Sequence, residues 1–310
     1  MSTNEERREA AKRKLEARLE ADRQAARKRR NIGFALTGVV VVVIAAVGGF
    51  VWYRHWDDKR HTECTYADAP AQWDEQLEQL KARAGEIPAN QKQQYDDYVK
   101  KLEQGKDKDR TSPKPESRTL NTGTVGMTLK TNQGEIPMTL DRAKAPCNVN
   151  ALISLSEHGF YDNTSCHRLV TTADLGALQC GDPTGTGMGG PGWTTKDEEP
   201  QDLKKVPGSD QMEQLGVPAS YVYPRGTLAI ANSNNPQQGT KDTGSAQFFI
   251  VTSDAKLPNT LSIVGHVDDA GMKVVDKVAK AGPKLAEGAE PGQGGPPILP
   301  VDIKSVSISE

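Results

Sequence analysis

Residues 32–53 read I-G-F-A-L-T-G-V-V-V-V-V-I-A-A-V-G-G-F-V-W-Y, without a single charged side chain, inside a chain that is highly charged on either side of them. At about 1.5 Å per residue such a run, wound as a helix, reaches roughly 33 Å, against a bilayer core of about 30 Å. A helix satisfies its own backbone hydrogen bonds, as lipid requires. Trp52 and Tyr53 stand at one end, where amphipathic rings favour the interface. These features predict a transmembrane helix over 32–53 with membrane lipid as its partner. A cleaved signal peptide has a shorter apolar core and ends in small residues, whereas this run ends in bulky ones. Residues 1–31 carry 11 Lys or Arg against 6 acidic residues, with Arg27, Lys28, Arg29 and Arg30 abutting the run. The positive-inside rule then predicts a single-pass cytoplasmic-membrane protein with its N-terminus in the cytoplasm and everything beyond residue 53 outside.

The rest of the chain is organised around that segment. Residues 1–31 form a basic tail, rich in Ala, Glu, Lys, Arg and Leu and free of Gly and Pro between residues 5 and 30, which predicts a solvated helix. Its basic residues suit attraction to anionic lipid. Residues 54–121 are polar and poor in large aliphatics, and predict a partly helical linker. Trp73, Leu77 and Leu80, then Tyr95, Tyr98 and Leu102, recur at helical spacing over 70–84 and 88–104, and Gly85 and Pro88 break the pair into a hairpin. Residues 105–121 read as a disordered tether. Residues 122–310 have the strand and turn patterning of a globular domain. All four cysteines, Cys64, Cys147, Cys166 and Cys180, follow the apolar run. An even number in an oxidising compartment points to disulfides, with three pairings open. No Cys-x-x-Cys pair or His/Cys cluster suggests a metal. The net charge of −2 sets a basic N-terminus against a more acidic remainder, so no nucleic-acid partner is indicated.

In the outer domain, 124–130 and 135–140 predict two strands around Asn132-Gln133-Gly134. A helix follows, with Asn148 a candidate cap and Val149, Leu152, Ile153 and Leu155 along it. Later strands are expected at 227–231, 247–252, 262–267 and 301–308, and a helix at 271–280, where Met272, Val275 and Val278 share a face. Many short strands and two helices suggest a closed β-barrel with helices over its ends.

Within this pattern stand A-P-C-N-V-N-A-L-I-S-L, then G-F-Y-D-N-T-S-C-H-R with His167 and Arg168, then L-Q-C-G-D-P-T-G-T-G-M-G-G-P-G with Gln179, then R-G-T-L-A-I-A-N-S, G-S-A-Q-F-F-I-V and L-S-I-V-G-H-V. In that order the motifs resemble a cyclophilin-type peptidyl-prolyl isomerase, in a membrane-anchored bacterial, actinobacterial-like form, over about residues 124–309. The fold class the resemblance implies is mostly β: a closed eight-stranded cyclophilin-like barrel capped by two helices. It would be preceded by the cytoplasmic basic helix, one transmembrane helix and the linker. The implied catalytic residues are Arg168, at the prolyl nitrogen, and Gln179, which braces it. Ala231, Asn232 and Ser233 would grip the residue before proline, Gln247 would contact substrate backbone, and Phe249 would floor the proline pocket with Leu257 as a wall. His167 borders the site and is not expected to act as a general base. On the family fold Cys166 and Cys180 fall on neighbouring antiparallel strands, so they are expected to pair, leaving Cys64 for Cys147.

The chain departs from the family in places. Where a short Pro-Gly-Phe-Met turn is usual, residues 169–178 read L-V-T-T-A-D-L-G-A-L, so Gly176 or Ala177 falls where a proline-enclosing Phe belongs, with Leu175 as its substitute. Lys256 replaces a Trp, and Leu261, counted with the substrate-binding residues, replaces a His. The expected function is therefore isomerisation of peptidyl-prolyl bonds in proline-containing peptides or unfolded exported proteins, less efficient than the family norm and without a cofactor. The alternative is a proline-binding chaperone or scaffold with little catalysis, and a weaker one a structural membrane tether.

Overall fold

A computed structural model describes residues 4–214, 216–286 and 289–309, except the side chains of residues 5, 35–37, 39, 40, 212, 214 and 291. The chain divides into two units, Met1–Lys59 and Arg60–Glu310. The first is a single helix, α1 (Asn4–Lys59), 56 residues long. The basic helix and the apolar segment were expected as two elements. They are continuous, because no Pro or capping motif falls between Arg30 and Gly33 to stop the first. Ile32, Phe34, Ile44, Phe50 and Trp52 are exposed along it. Among the described residues no helix is long and apolar enough to cross a membrane. The expected transmembrane helix is therefore not found as a separate element, and the five undescribed side chains at 35–37, 39 and 40 lie inside that run.

In the second unit the elements run β1 (His61–Glu63), β2 (Tyr66–Asp68), α2 (Trp73–Arg83), α3 (Lys92–Lys106), β3 (Arg118–Leu120), β4 (Thr124–Thr131), β5 (Gly134–Asp141), α4 (Pro146–Glu157), β6 (Thr164–Ser165), β7 (Arg168–Thr171) and β8 (Gly176–Cys180). They continue β9 (Trp193–Thr195), β10 (Lys204–Lys205), α5 (Ser209–Gln214), β11 (Tyr221–Tyr223), β12 (Thr227–Ile230), β13 (Phe248–Ser253), β14 (Ala255–Leu257), β15 (Ile263–Val267), α6 (Asp269–Ala281) and β16 (Asp302–Ser309). The principal sheet has nine strands in the order β6-β16-β4-β5-β15-β12-β13-β8-β7. The expected closed eight-stranded barrel is thus corrected to an open, curled antiparallel sheet. Its two edge strands, β6 and β7, are consecutive in the chain, separated only by Cys166 and His167. The chain bridges the gap there, and no ladder between the two edges closes the cylinder.

The period of two expected of a half-buried strand fixes which side chains enter the core. Val125, Met127 and Leu129 of β4 and Ile136, Met138 and Leu140 of β5 are all buried in one cluster. β4 and β5 pair over their full lengths from Thr124–Asp141 to Thr131–Gly134, so register and burial agree. Val149, Leu152 and Leu155 of α4 and Met272, Val275 and Val278 of α6 join that cluster. Each such side chain, fully buried, is worth roughly 1.5–3 kcal/mol. Asn148 is not the cap of α4. The helix starts at Pro146 with Ala145 before it. The Glu198 carboxylate accepts from the Cys147 and Asn148 N–H groups at 3.0 and 2.9 Å, so a distant side chain satisfies the first orphan donors. Burial nonetheless raises the Glu198 pKa.

Residues 105–121, expected as a disordered tether, are ordered. β3 pairs with β1, Ser112 N–H donates to Pro191 O at 3.0 Å, and Trp193 Nε1–H donates to Ser112 O at 2.8 Å. Arg110 reaches the carbonyl of Asp162 at 3.1 Å. The helices before it form the expected hairpin around Trp73, Leu77 and Leu102, closed by Trp73 Nε1–H donating to Asp109 at 2.7 Å. Two disulfides are present, Cys64–Cys147 and Cys166–Cys180, both as the family resemblance implied.

Candidate active site

Three adjacent strands carry the site. β7 and β8 place Arg168 opposite Gln179, and β8 and β13 place Gln179 opposite Phe249. Arg168 is half-buried and firmly held. Its Nε–H donates to Gln293 O at 2.8 Å, Nη2 to Gly292 O at 3.2 Å and Nη1 to Gln179 Oε1 at 3.3 Å. Gln179 Nε2 in turn donates to Gln247 Oε1 at 2.9 Å, and Gln247 Nε2 donates to Gly187 O and Gly189 O at 2.9 and 3.1 Å. A guanidinium presents five donors in a fixed fork. Three N–H groups orient it, which leaves two of the five without a partner in these bonds. The carbonyls of Gly292 and Gln293 act through the backbone alone, so their side chains gave no signal of this role.

Phe248 and Phe249 point to opposite faces of β13, as alternation demands. Phe248 packs in the main core against Tyr161, ring centroids 5.6 Å apart. Phe249 joins a second cluster with Ala177 and Leu261, flanked by Leu175, Ala231 and Leu257. Phe249 is 6 % and Leu261 9 % exposed, so this apolar floor is nearly filled by its own side chains. Tyr221, Tyr223 and Leu203 also belong to the cluster. The sequence offered no periodic signal for them, because they arrive on short strands and loops.

The altered 169–178 segment is a hairpin. Thr172 Oγ1 donates to Leu175 O at 3.2 Å and accepts from Leu175 N–H at 3.1 Å. Lys256 N–H donates to Asp174 O at 2.8 Å, and its ammonium pairs with the Asp174 carboxylate at 2.6 Å. A residue standing where the family has Trp thus fastens the hairpin that stands where the family has a Phe-bearing turn.

His167 is 9 % exposed, and among the described residues neither ring nitrogen has a hydrogen-bond partner. Burial pushes its pKa well below the usual imidazole value and outweighs the nearby Asp182 carboxylate, while Lys101 and Arg168 act in the same direction as burial. With its basicity lowered and neither nitrogen hydrogen-bonded, the imidazole is a weak proton acceptor near neutral pH. Asp182 instead shapes the glycine-rich loop. It accepts from Thr184 N–H at 2.8 Å and from Gly187 N–H at 2.5 Å. Gly187 sits at φ +90°, conformationally open only to residues without a Cβ penalty.

Ala231, Asn232 and Ser233 line a groove of about 350 Å³ together with Gln179, Gln247 and the glycine-rich loop. The Asn232 side chain is turned into the protein, donating to Thr260 O at 2.9 Å and Asp197 at 3.2 Å. Ala231 N–H donates to Gln247 O at 2.9 Å. The site residues therefore split into a polar groove on one side of Gln179 and an apolar cluster around Phe249 on the other. Leu257 and Leu261 belong to the cluster and not to the groove. Among the described residues no cluster of His, Cys, Asp and Glu is arranged to hold a metal ion.

A curled antiparallel sheet packed by two helices, with an Arg–Gln–Gln relay beside a buried Phe, defines a cyclophilin-like domain. Residues 126–308 match the family described as cyclophilin type peptidyl-prolyl cis-trans isomerase/CLD, and the chain belongs to that family. It is 41% identical over 185 residues to a probable peptidyl-prolyl cis-trans isomerase B of Mycobacterium leprae, a match covering 60% of this chain and 57% of that one. It is 41% identical over 184 residues to a probable peptidyl-prolyl cis-trans isomerase B of Mycobacterium tuberculosis, covering 59% and 54%. The matched region thus spans little more than half the length of these relatives. A crystal structure of a Cryptosporidium parvum cyclophilin type peptidyl-prolyl cis-trans isomerase in the presence of the dipeptide Ala-Pro is 25% identical, covers 60% of this chain and 99% of that one, and superposes with a TM-score of 0.43.

Proposed function

We propose that this protein is a peptidyl-prolyl cis-trans isomerase acting on proline-containing peptides and unfolded exported proteins outside the cytoplasmic membrane. The observation that carries this reading is the Arg168 guanidinium, fixed by Gly292 O, Gln293 O and Gln179 between a polar groove and the Phe249 cluster. Rotation about an amide meets a barrier of about 18–20 kcal/mol from resonance. As the bond twists, the prolyl nitrogen loses conjugation and gains a lone pair. A pre-oriented donor aimed at that nitrogen favours the twisted state over either planar one. No nucleophile, proton transfer or cofactor enters the step. Proline would rest on Phe249, between Leu257 and Leu261, and the preceding residue would lie along Ala231, Asn232 and Ser233. Burial lowers the Arg168 pKa, and the side chain stays charged throughout the working pH range.

Placement outside the membrane is supported by the uncharged run 32–53, by the basic flank at residues 27–30, and by two disulfides in the second unit, bonds that persist in oxidising compartments. The apolar run supplies the lipid contact. A second reading, a proline-binding chaperone with little catalysis, is favoured by the near-complete filling of the apolar floor at Phe249 and Leu261.

The test is cis/trans exchange of a short Ala-Pro-Phe peptide with the protein and with an Arg168→Ala variant. Loss of one pre-oriented donor is expected to lower turnover by about 100- to 1,000-fold. Peptide binding with no acceleration in the unaltered protein would refute the isomerase and support the chaperone.

A further inference from the structure

The segment that precedes the family domain is built into the groove. Ala69, Ala71 and Gln76 line the same groove as Gln179, Asn232 and Gln247, yet they lie outside the residues 126–308 that match the family. Their position is fixed by independent ties. Cys64 is bonded to Cys147. β2 pairs with β9, so Tyr66 lies opposite Thr195 and Asp68 opposite Trp193. Tyr66 and Trp193 stack edge to face with centroids 5.3 Å apart. Ala69 N–H donates to Gly192 O at 2.9 Å. Further along, Gly105 of α3 lies so close to Thr184 and Thr186 of the glycine-rich loop that a Cβ there would collide with Thr186. The segment is a wall of the groove rather than a spacer.

The chemistry of that wall is uniform. None of the residues lining the groove carries a charge. Most of its polar side chains are already engaged: Gln247 with the Gly187 and Gly189 carbonyls, Ser245 with Trp193 O, Thr243 with Asn234 and Asn232 with Thr260 O. The Gln76 amide has no side-chain hydrogen bond among the described residues, and it is only partly exposed, with a donor and an acceptor left for a ligand.

We propose that Gln76, on the wall that Ala69 and Ala71 share, is a specificity residue selecting substrates with an uncharged hydrogen-bonding side chain two residues before the proline. The inference rests on the isomerase reading above. With proline over Phe249 and the preceding residue at Asn232, the next residue toward the N-terminus enters the groove facing Gln76. A charged side chain would be desolvated without a counter-charge, and an apolar one would strip water from Gln76 without replacing its hydrogen bonds. An amide or hydroxyl satisfies both itself and Gln76.

The experiment measures kcat/KM for cis/trans exchange by the full-length protein in neutral detergent, with X-Ala-Pro-Phe peptides in which X is Gln, Leu, Glu or Gly. The unaltered protein is expected to favour Gln. In Gln76→Ala the ratio of the Gln to the Gly peptide falls by about 2- to 10-fold, the worth of one neutral hydrogen bond. The control Gln79→Ala, one turn further along α2 where Gln79 bonds Glu75, keeps the ratio. Ala71→Trp, which fills the groove from an exposed position, lowers the ratio of every X peptide to the Gly peptide. An unchanged Gln-to-Gly ratio in Gln76→Ala overturns the proposal, whatever Ala71→Trp does. Absence of acceleration even with the Gly peptide would refute the isomerase reading instead. The same ratios, then read as peptide affinities by fluorescence anisotropy, decide the role of Gln76: a fall in Gln76→Ala upholds it and no change overturns it.

Discussion

Removing the Cys64–Cys147 bridge by a Cys64→Ser, Cys147→Ser double substitution is expected to cost more stability than removing Cys166–Cys180 in the same way. The magnitude follows from the loops each bridge closes. Cys64 and Cys147 are 83 residues apart, Cys166 and Cys180 only 14. In the chain-entropy account the first restricts the unfolded chain by about 4.5 kcal/mol and the second by about 3 kcal/mol. The larger loop also contains the whole extension, α2, α3 and β3, whose own apolar core is limited to Trp73, Leu77 and Leu102 with partial help from Leu80 and Val99. The assay is guanidinium unfolding of residues 60–310 followed by tryptophan fluorescence. The tryptophans in that range, Trp73 and Trp193, sit in the hairpin and at its junction with the glycine-rich loop, so they report the extension directly. A loss for the Cys64/Cys147 variant equal to or smaller than that for the Cys166/Cys180 variant would refute the entropic reasoning, and would mean that noncovalent packing alone keeps the extension docked.

Two further outcomes follow from individual side chains. His167 is buried and neutral with its pKa held below the usual 6.5, so below that pH the unfolded chain binds a proton that the native state does not. Stability is then complete above about pH 6.5 and declines as the pH falls, until the native imidazole itself takes up a proton. His167→Gln should flatten this acid limb in chemical unfolding at stepped pH, and an unchanged limb would contradict it. Gly176→Ala should destabilise the protein by about 1–3 kcal/mol through overpacking, because its Cβ would lie 2.6 Å from Thr252 Oγ1 and 2.9 Å from the Ser253 backbone nitrogen. Thermal unfolding measures it, and a shift within error would show that β8 and β13 can separate at that point.

What the sequence revealed and what it hid divide along the range of the interactions. The paired strands β4 and β5, the buried faces of α4 and α6, and the opposite orientations of Phe248 and Phe249 rest on local periodicity, so they were legible. Arg168, Gln179 and Gln247 came from motif resemblance; the β7–β8 ladder sets Arg168 beside Gln179, and a side-chain hydrogen bond joins Gln179 to Gln247. The long-range features were hidden. Openness of the sheet depends on whether β6 and β7 pair, which no local pattern states. Residues 105–121 looked disordered because their order comes from backbone bonds to Pro191 and β1 and from the Arg110 side chain on the Asp162 carbonyl, partners far away in the chain. Asn148 read as a cap because its residue type suits one. Its side chain is instead spent on Lys196 O, Thr195 and Glu198, while Glu198 covers the helix start.

The departures from the family pattern around the Phe249 cluster meet at the 172–175 turn. At Gly176, which with Ala177 is one of the two positions where the family's Phe would fall, the approach of β8 to Thr252 and Ser253 leaves no room for a side chain without a shift. The apolar surface lost there is restored one residue earlier by Leu175, which packs on the Phe249 cluster. Leu175 can do so only if the turn is held, and Lys256 holds it through Asp174. An exposed ion pair of this kind is worth at most about 1 kcal/mol by itself, so the backbone bond from Lys256 N–H to Asp174 O carries most of the restraint. Restoring Trp at 256 would keep that backbone bond but remove the ion pair, and placing Phe at 176 would split β8 from β13. Of the two changes, only Phe at 176 breaks the ladder, and Trp at 256 forfeits no more than the exposed ion pair.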